Sequence, residues 1–256
     1  MSKTVRNFCK AALPLTFILL LWYYAATLQL WSSYVLPSPQ KVLNAFWIMA
    51  NNGVLTRHIL VSLGRVLTGF SIAFVLAFLL GVAAGLLPGA SAYYNYIVEF
   101  MRNVPPLSLI ALLILWFGIG ETSKIIIIVL ASFFPMFLNI KKGLNSCDAR
   151  LLEVGQSLGF SKVKQFFKIM LPFALPDILV GMRIGLGYSW RAIIGAEMIA
   201  AASGLGYLIL DAQQMSRSDK VIVGIFVIGT VGYLCDRLFS FCIKKVLHGG
   251  VDDSWR

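Results

Sequence analysis

Residues 148–172 read DARLLEVGQSLGFSKVKQFFKIMLP, and this stretch decides the architecture of the chain. Apolar positions recur at helical spacing on both sides of Gly159, a residue type that tolerates the left-handed conformation in which many helices end. Ser161 is suited to cap a second helix, and we expect Pro172 to end that helix. The stretch therefore predicts a hairpin of two short amphipathic helices.

Strongly apolar segments flank this hairpin on both sides. Of the 256 residues, 59% are apolar and 13% are charged, and the mean hydropathy is +0.82. A soluble domain has about 25% charged and about 45–50% apolar residues. The apolar residues also fall in blocks close to the ~20 residues that cross a bilayer. This composition excludes a soluble enzyme, a disordered tail protein and a nucleic-acid reader.

Six such blocks predict an all-α integral membrane protein with about six transmembrane helices, at 11–31, 66–87, 94–118, 123–140, 173–202 and 221–243. The first block is longer than the ~7–15 apolar residues of a signal peptide and lacks an A-x-A cleavage site, so we expect an uncleaved anchor. The third contains Pro105 and Pro106. Since each proline removes a backbone donor and restricts the residue before it, we expect a kink or an unwound turn there.

The basic residues predict the orientation in the membrane. The net charge is +11, from 22 Lys and Arg against 11 Asp and Glu. Twelve of the basic residues lie in the two terminal segments and in the loop 141–172, against six in the segments on the opposite side. Cytoplasmic segments carry the excess of Lys and Arg. We therefore expect both termini and the loop 141–172 in the cytoplasm.

Chemistry-bearing motifs of enzymes are missing from the sequence. It has no G-x-x-x-x-G-K-[ST] phosphate-binding loop, only two histidines, and four cysteines without a CxxC pair, which we expect to be reduced. No catalytic residue, metal site or cofactor is predicted. An integral membrane enzyme would need such groups at one membrane face, and a self-contained transporter would work without an ATPase.

The pattern Glu153-(x)5-Gly159-(x)9-Ile169-x-Leu171-Pro172 resembles the cytoplasmic-loop signature of permease subunits of binding-protein-dependent ABC importers. The family signature has two alanines where this chain has Val154 and Gly155, and a glycine weakens a helix by up to ~1 kcal/mol relative to alanine.

This resemblance implies the fold of a type I importer permease (MetI-like) and a division of labour among subunits. ATP would be hydrolysed by a separate dimeric ATPase, an extracytoplasmic solute-binding protein would deliver the substrate, and a second permease copy, as a homodimer, would complete the pathway within the lipid of a bacterial inner membrane. The residues expected to couple to the ATPase are Glu153, Val154, Gly155, Leu158, Gly159, Phe160, Ser161, Ile169, Leu171 and Pro172. The expected organisation is an anchor and extracytoplasmic segment (1–64), a permease core (65–243) with the coupling loop 141–172, and a cytoplasmic tail (244–256).

Two further stretches, Leu115–Glu121 and Ala196–Gly206, resemble the sulfonate, taurine and nitrate branch of that family. The resemblance implies a small anion as cargo. Relatives that carry a thiamine-precursor pyrimidine, riboflavin or an aromatic acid leave an alternative substrate class open.

Charged residues within membrane segments are costly, and they suggest function by default. Arg183 and Arg191 are eight residues apart, about 80° around a helix, so both can face one cavity. Guanidinium groups would attract an oxyanion there. Alternatively, Arg102 pairs with Glu99 and the others are structural. The candidate pathway residues are Arg102, Asn103, Pro105, Arg183, Trp190, Arg191, Glu197 and Ser203.

Overall fold

The computed structural model describes residues 3–87, 89 and 91–246, and this part of the chain is helical throughout, without a β-strand. The side chains of residues 3–12, 15, 91, 92 and 246 lie outside the description. The helices are α1 (Lys3–Thr27), α2 (Pro39–Asn51), α3 (Val54–Leu86), α4 (Ser91–Asn103), α5 (Ile110–Phe117), α6 (Glu121–Asn145), α7 (Ala149–Ser157), α8 (Lys162–Gln165), α9 (Leu171–Ala200), α10 (Leu205–Gln214) and α11 (Ser218–Val246).

Four helical segments are long and apolar enough to cross a membrane, and a bent pair would make a fifth crossing. The four are Val54–Leu86, Glu121–Asn145, Lys162–Ala200 and Ser218–Lys245, and the pair is Tyr93–Asn103 with Pro106–Phe117. The predicted first crossing falls on α1, where the apolar stretch among described side chains is Thr16–Thr27. The crossing by α1 stays a prediction.

The predicted break in the third block is confirmed. α4 ends at Asn103, Pro105 is extended (φ −61°, ψ 125°), and a 3-10 turn at Pro106–Leu109 leads into α5. The two halves meet at an angle of 86°. The physical reason is the proline pair, which cannot continue the hydrogen-bond pattern of α4.

Helix α6 forms the centre of the bundle and packs against both α3 and α9. Small residues allow these close approaches. A Cβ atom on Gly69 of α3 would lie 2.7 Å from Ile128, and one on Gly185 of α9 would lie 2.8 Å from Met136. Membrane helices commonly pack through such small residues. The three helices thus form one tightly packed unit that fixes both ends of the bundle.

Candidate functional site

The predicted hairpin forms between α6 and α9. Asp148 caps α7, its side chain accepting a hydrogen bond from the Arg150 backbone N–H at 2.9 Å. At the other end, the Phe160 N–H donates to the Gly155 carbonyl at 2.9 Å and the Gly159 N–H donates to the Gln156 carbonyl at 2.8 Å. This pair of bonds is the Schellman motif, which places Gly159 in the left-handed region at φ +73°.

Ser161 caps the second helix, as predicted, by accepting from the Lys164 N–H. The expectation that Pro172 ends this helix is wrong. Helical structure continues from Lys162 to Ala200 through a π-helical turn at Phe166–Met170. The proline lies in the first turn of α9, where its missing N–H and fixed φ are tolerated because that donor is not needed.

The two arms of the hairpin pack closely at Gly155, which is buried. A Cβ atom there would lie 2.7 Å from Cδ1 of Ile169 and 3.4 Å from Cγ of Gln165. The Gln165 amide donates to the Phe160 carbonyl at 3.0 Å and ties the turn to α8. Gly155 therefore brings α7 against the second arm, which explains the departure from the two-alanine pattern.

The outer face of α7 carries an exposed apolar ridge of Leu151, Val154 and Leu158, which are 43%, 56% and 67% exposed. Glu153 is exposed beside it. These positions follow the i, i+3, i+7 spacing of one helix face. A ridge of this kind on the outermost helix of a membrane protein is a surface for another protein subunit.

At the other end of the bundle, Arg65 of α3 joins α6 and α9. Its Nε and Nη2 contact the Glu121 carboxylate at 2.6 and 2.7 Å, and its Nη1 contacts Glu197 Oε1 at 2.7 Å. It also donates to the Ser203 carbonyl at 2.6 Å. Lys124 adds a 2.8 Å contact to Glu121. We call Arg65, Glu121, Lys124, Glu197 and Ser203 the Arg65 cluster.

Glu197 is fully buried and holds the loop that follows α9. Its carboxylate accepts from the Ser62 hydroxyl at 2.9 Å and from the Gly206 N–H at 3.0 Å. Gly204 has φ +111°, and a Cβ atom there would overlap this carboxylate. The stretch Ala196–Gly206 is therefore a tight turn built around one buried acid.

Both branch-specific stretches thus meet at Arg65, which the sequence analysis counted only as an extracytoplasmic charge. Glu121 ends the first stretch and Glu197 begins the second. Sequence separations of 56 and 132 residues divide Arg65 from its two carboxylates, so no local pattern links them. The one available signal is that Arg65, Glu121 and Glu197 all lie at predicted membrane-segment ends on one side.

A third group lines an open cavity of about 710 Å³ between α3, α9 and α11. Arg183, Trp190 and Arg191 all line it, so the prediction that Arg183 and Arg191 face one cavity is confirmed. Arg183 makes a paired contact with Asp236 of α11, with both distances 2.8 Å. Sequence reasoning missed Asp236, because its partner is 53 positions away on another helix.

Arg191 differs from Arg183 in its partners. Its Nε donates to the Gly187 carbonyl at 3.0 Å, and its guanidinium lies 4.9 Å from the ring centre of Tyr188. It is exposed, and none of the ion pairs among the described residues includes it. Arg191 is therefore a cation that faces the cavity without a carboxylate beside it.

The remaining candidates lie at the break after α4. Arg102 contacts Glu99 at 3.6 Å in an exposed pair, which is the structural alternative stated for it. The Asn103 amide donates to the Glu99 carbonyl at 2.6 Å, and Pro105 precedes the 3-10 turn. The eight pathway candidates therefore fall into three separate groups. Within the described ranges, no group of three or more His, Cys, Asp or Glu side chains is placed to hold a metal ion.

Fold and sites together define a class of protein: a polytopic membrane permease with a projecting helical hairpin on which a partner can act. The particular family follows from comparison. Residues 77–248 match the family described as "Binding-protein-dependent transport system inner membrane component", and the chain belongs to it.

Two relatives have named activities. The taurine transport system permease protein TauC of Escherichia coli (strain K12) is 38% identical over 227 residues, 87% of this chain and 82% of TauC. The bicarbonate transport system permease protein CmpB of Synechocystis sp. is 34% identical over 191 residues, 74% of this chain and 68% of CmpB. Among solved structures, an inward-facing form of the MetNI methionine ABC transporter aligns with a TM-score of 0.62 at 15% identity, covering 75% of this chain and 97% of that chain, which confirms the fold.

This chain is therefore a permease subunit of an ABC importer, a multi-pass protein of the inner membrane and not an enzyme. ATP hydrolysis takes place on a separate subunit, and a substrate-binding protein is the second partner.

Proposed function

We propose that this permease imports a small anion of the sulfonate, taurine or nitrate type. The observation that carries the proposal is Arg191, an exposed guanidinium facing the 710 Å³ cavity without an ion-pair partner among the described residues. A guanidinium binds oxyanions through forked donors and charge. The relatives named for taurine and bicarbonate support this class. They do not favour the pyrimidine, flavin or aromatic-acid alternative.

In this proposal the pathway group is Arg183, Trp190 and Arg191. Asp236 compensates the charge of Arg183, whose fork it already occupies. Arg191 is then the cation left to meet the cargo. The contacts of Glu197 and Ser203 with Arg65 favour a structural role for those two residues, while Arg102, Asn103 and Pro105 mark a bend that could move during gating.

The coupling surface in the proposal is the ridge on α7, with Glu153 beside it. The ATPase would press on Leu151, Val154 and Leu158, and the Gly155–Ile169 contact would pass that movement to the second arm. Since α8, the π-turn and α9 are one helical path, displacement of α7 would tilt α9. Such a change biases a two-state element through a ligand on another subunit.

We further propose a homodimer with both termini and the loop 141–172 in the cytoplasm. The hairpin and the Arg65 cluster lie at opposite ends of α6, whose 25 residues span about 37 Å. A cysteine at the exposed position Ser157 tests the orientation. Membrane-impermeant maleimide should label Ser157→Cys in inverted vesicles but leave it unlabelled in intact spheroplasts, and the reverse pattern would contradict the proposal.

Uptake by the complete complex tests the cargo. The permease, its ATPase and its binding protein are reconstituted in proteoliposomes, and ATP-dependent uptake of taurine, methanesulfonate, nitrate and riboflavin is compared. We expect uptake of one or more anions and none of riboflavin. Arg191→Ala should lower anion uptake at least tenfold, with Arg191→Lys intermediate.

The matched control for Arg191 is Arg237. Its guanidinium lies 5.3 Å from the ring centre of Tyr233, much as Arg191 lies over Tyr188, yet Arg237 does not line the cavity. Arg237→Ala should leave uptake unchanged. Equal uptake by Arg191→Ala and wild type would refute the role of Arg191, and riboflavin uptake without anion uptake would refute the substrate class.

A further inference from the structure

The Glu121 carboxylate lies on the solvent side of two buried cations. The Glu121 side chain is 59% exposed, whereas those of Arg65 and Lys124 are 6% and 5% exposed. All three contacts between the carboxylate and these cations are between 2.6 and 2.8 Å. Glu121 therefore covers a pair of cations that the rest of the fold holds in place.

The cations are fixed independently of Glu121. Arg65 is anchored from behind by Glu197 and by the Ser203 carbonyl. Lys124 lies one turn into α6, where the free N–H groups of the helix start also favour an anion. Among the described residues, Glu121 is the one carboxylate that Lys124 contacts. Without Glu121, two buried cations would face solvent against one buried carboxylate.

We propose that Arg65 and Lys124 form an oxyanion site at the end of the bundle remote from the hairpin, occupied in this conformation by the carboxylate of Glu121. A sulfonate, nitrate or carboxylate presents two oxygens to an arginine fork as Glu121 does. Exchange of Glu121 for such an anion would give the cargo a first binding position in the permease. The inference rests on the proposed anion cargo and adds a site away from the Arg191 cavity.

Glu121 is placed so that it could leave. It is the first residue of α6 and follows Gly118 and Gly120. Both glycines have open space where a Cβ atom would be. Its departure would break contacts only at its carboxylate, since the backbone turn around Ser203 is held by Glu197.

Chemical rescue tests the site without any transport. The complex of permease and ATPase carrying Glu121→Ala is purified in detergent, and its thermal midpoint is followed as potassium methanesulfonate, formate or nitrate is added. We expect a midpoint at least about 4 °C below wild type in potassium gluconate. Added anion should restore it in proportion to the logarithm of anion concentration, while wild type responds little because Glu121 already fills the site.

The control for nonspecific salt effects is Glu99→Ala, which removes an exposed carboxylate paired with Arg102 at 3.6 Å. Its midpoint should respond to anions as wild type does. Adding Lys124→Met to Glu121→Ala should reduce the anion response at least threefold. If Glu121→Ala does not assemble, Glu121→Gln serves in the same titration, since the amide fills the space without the charge.

An anion response of the Glu121 variants no larger than that of Glu99→Ala would overturn the site. That outcome leaves the proposed function intact, because wild-type uptake is measured separately. Failure of the wild-type complex to take up any tested anion would instead refute the proposed function, whatever the rescue experiment gives.

Discussion

Glu197→Gln distinguishes a structural acid from a residue that contacts cargo. The substitution keeps the size of the side chain and removes its charge. Glu197 is fully buried and accepts from Ser62, Arg65 and Gly206 at 2.7–3.0 Å. The amide has one oxygen for these donors, and its NH2 group would face at least one of them.

The expected cost is large because the partner is a buried cation. Removing one member of a buried ion pair costs about 3–5 kcal/mol. Since Glu121 remains on Arg65, we expect the lower end, about 3 kcal/mol. This is a substantial part of the ~5–15 kcal/mol that stabilises a folded domain. For a chain of this size it corresponds to about 6–12 °C in the thermal midpoint.

The assay is thermal unfolding of the purified complex, followed by size-exclusion chromatography after heating. Glu99→Gln is the control, because its exposed pair with Arg102 at 3.6 Å should contribute below about 1 kcal/mol. A Glu197→Gln complex that melts with wild type but loses uptake would refute the structural role and favour contact with the cargo.

Three further substitutions or measurements follow from the same geometry. Gly159→Pro cannot adopt φ +73° and loses the N–H that closes α7, so the subunit should insert normally while its stimulation of ATP hydrolysis falls at least tenfold in proteoliposomes; normal stimulation would contradict the coupling proposal. Gly206→Ala would place a Cβ atom against the Ile194 carbonyl, and we expect less than a tenth of the wild-type yield of assembled complex. Burial, with a smaller effect from Asp148, raises the pKa of the Cys147 thiol above its ordinary value, so its alkylation by iodoacetamide should continue to accelerate at pH values where that of free cysteine has levelled off; a rate that levels off with free cysteine would contradict this.

Local signals predicted the coupling hairpin well. A glycine at a helix end and a serine three residues before a backbone donor act within one turn of chain, so Gly159 and Ser161 could be assigned from sequence. The error at Pro172 has the same origin. A proline is compatible with the first turn of a helix, and only the structure shows that α8 reaches that turn through a π-turn.

Long-range pairs were beyond such reasoning. Arg65 meets Glu121 and Glu197 only because α3, α6 and α9 pack together through small residues, and Arg183 meets Asp236 only because α11 lies against α9. A sequence gives each charge but not the helix faces that come into contact. The Arg65 cluster, which carries the further inference, is therefore a product of tertiary packing.

The π-turn at Phe166–Met170 fixes the azimuth of the hairpin relative to the bundle. Each residue of an α-helix turns the chain by 100°, so deletion of one residue within this turn would rotate the hairpin by about that amount around the α9 axis. The ridge on α7 would then point sideways while every residue that composes it remained unchanged. The number of residues between Gly159 and Pro172 is thus itself an element of the coupling surface, as important as the side chains that the ridge presents.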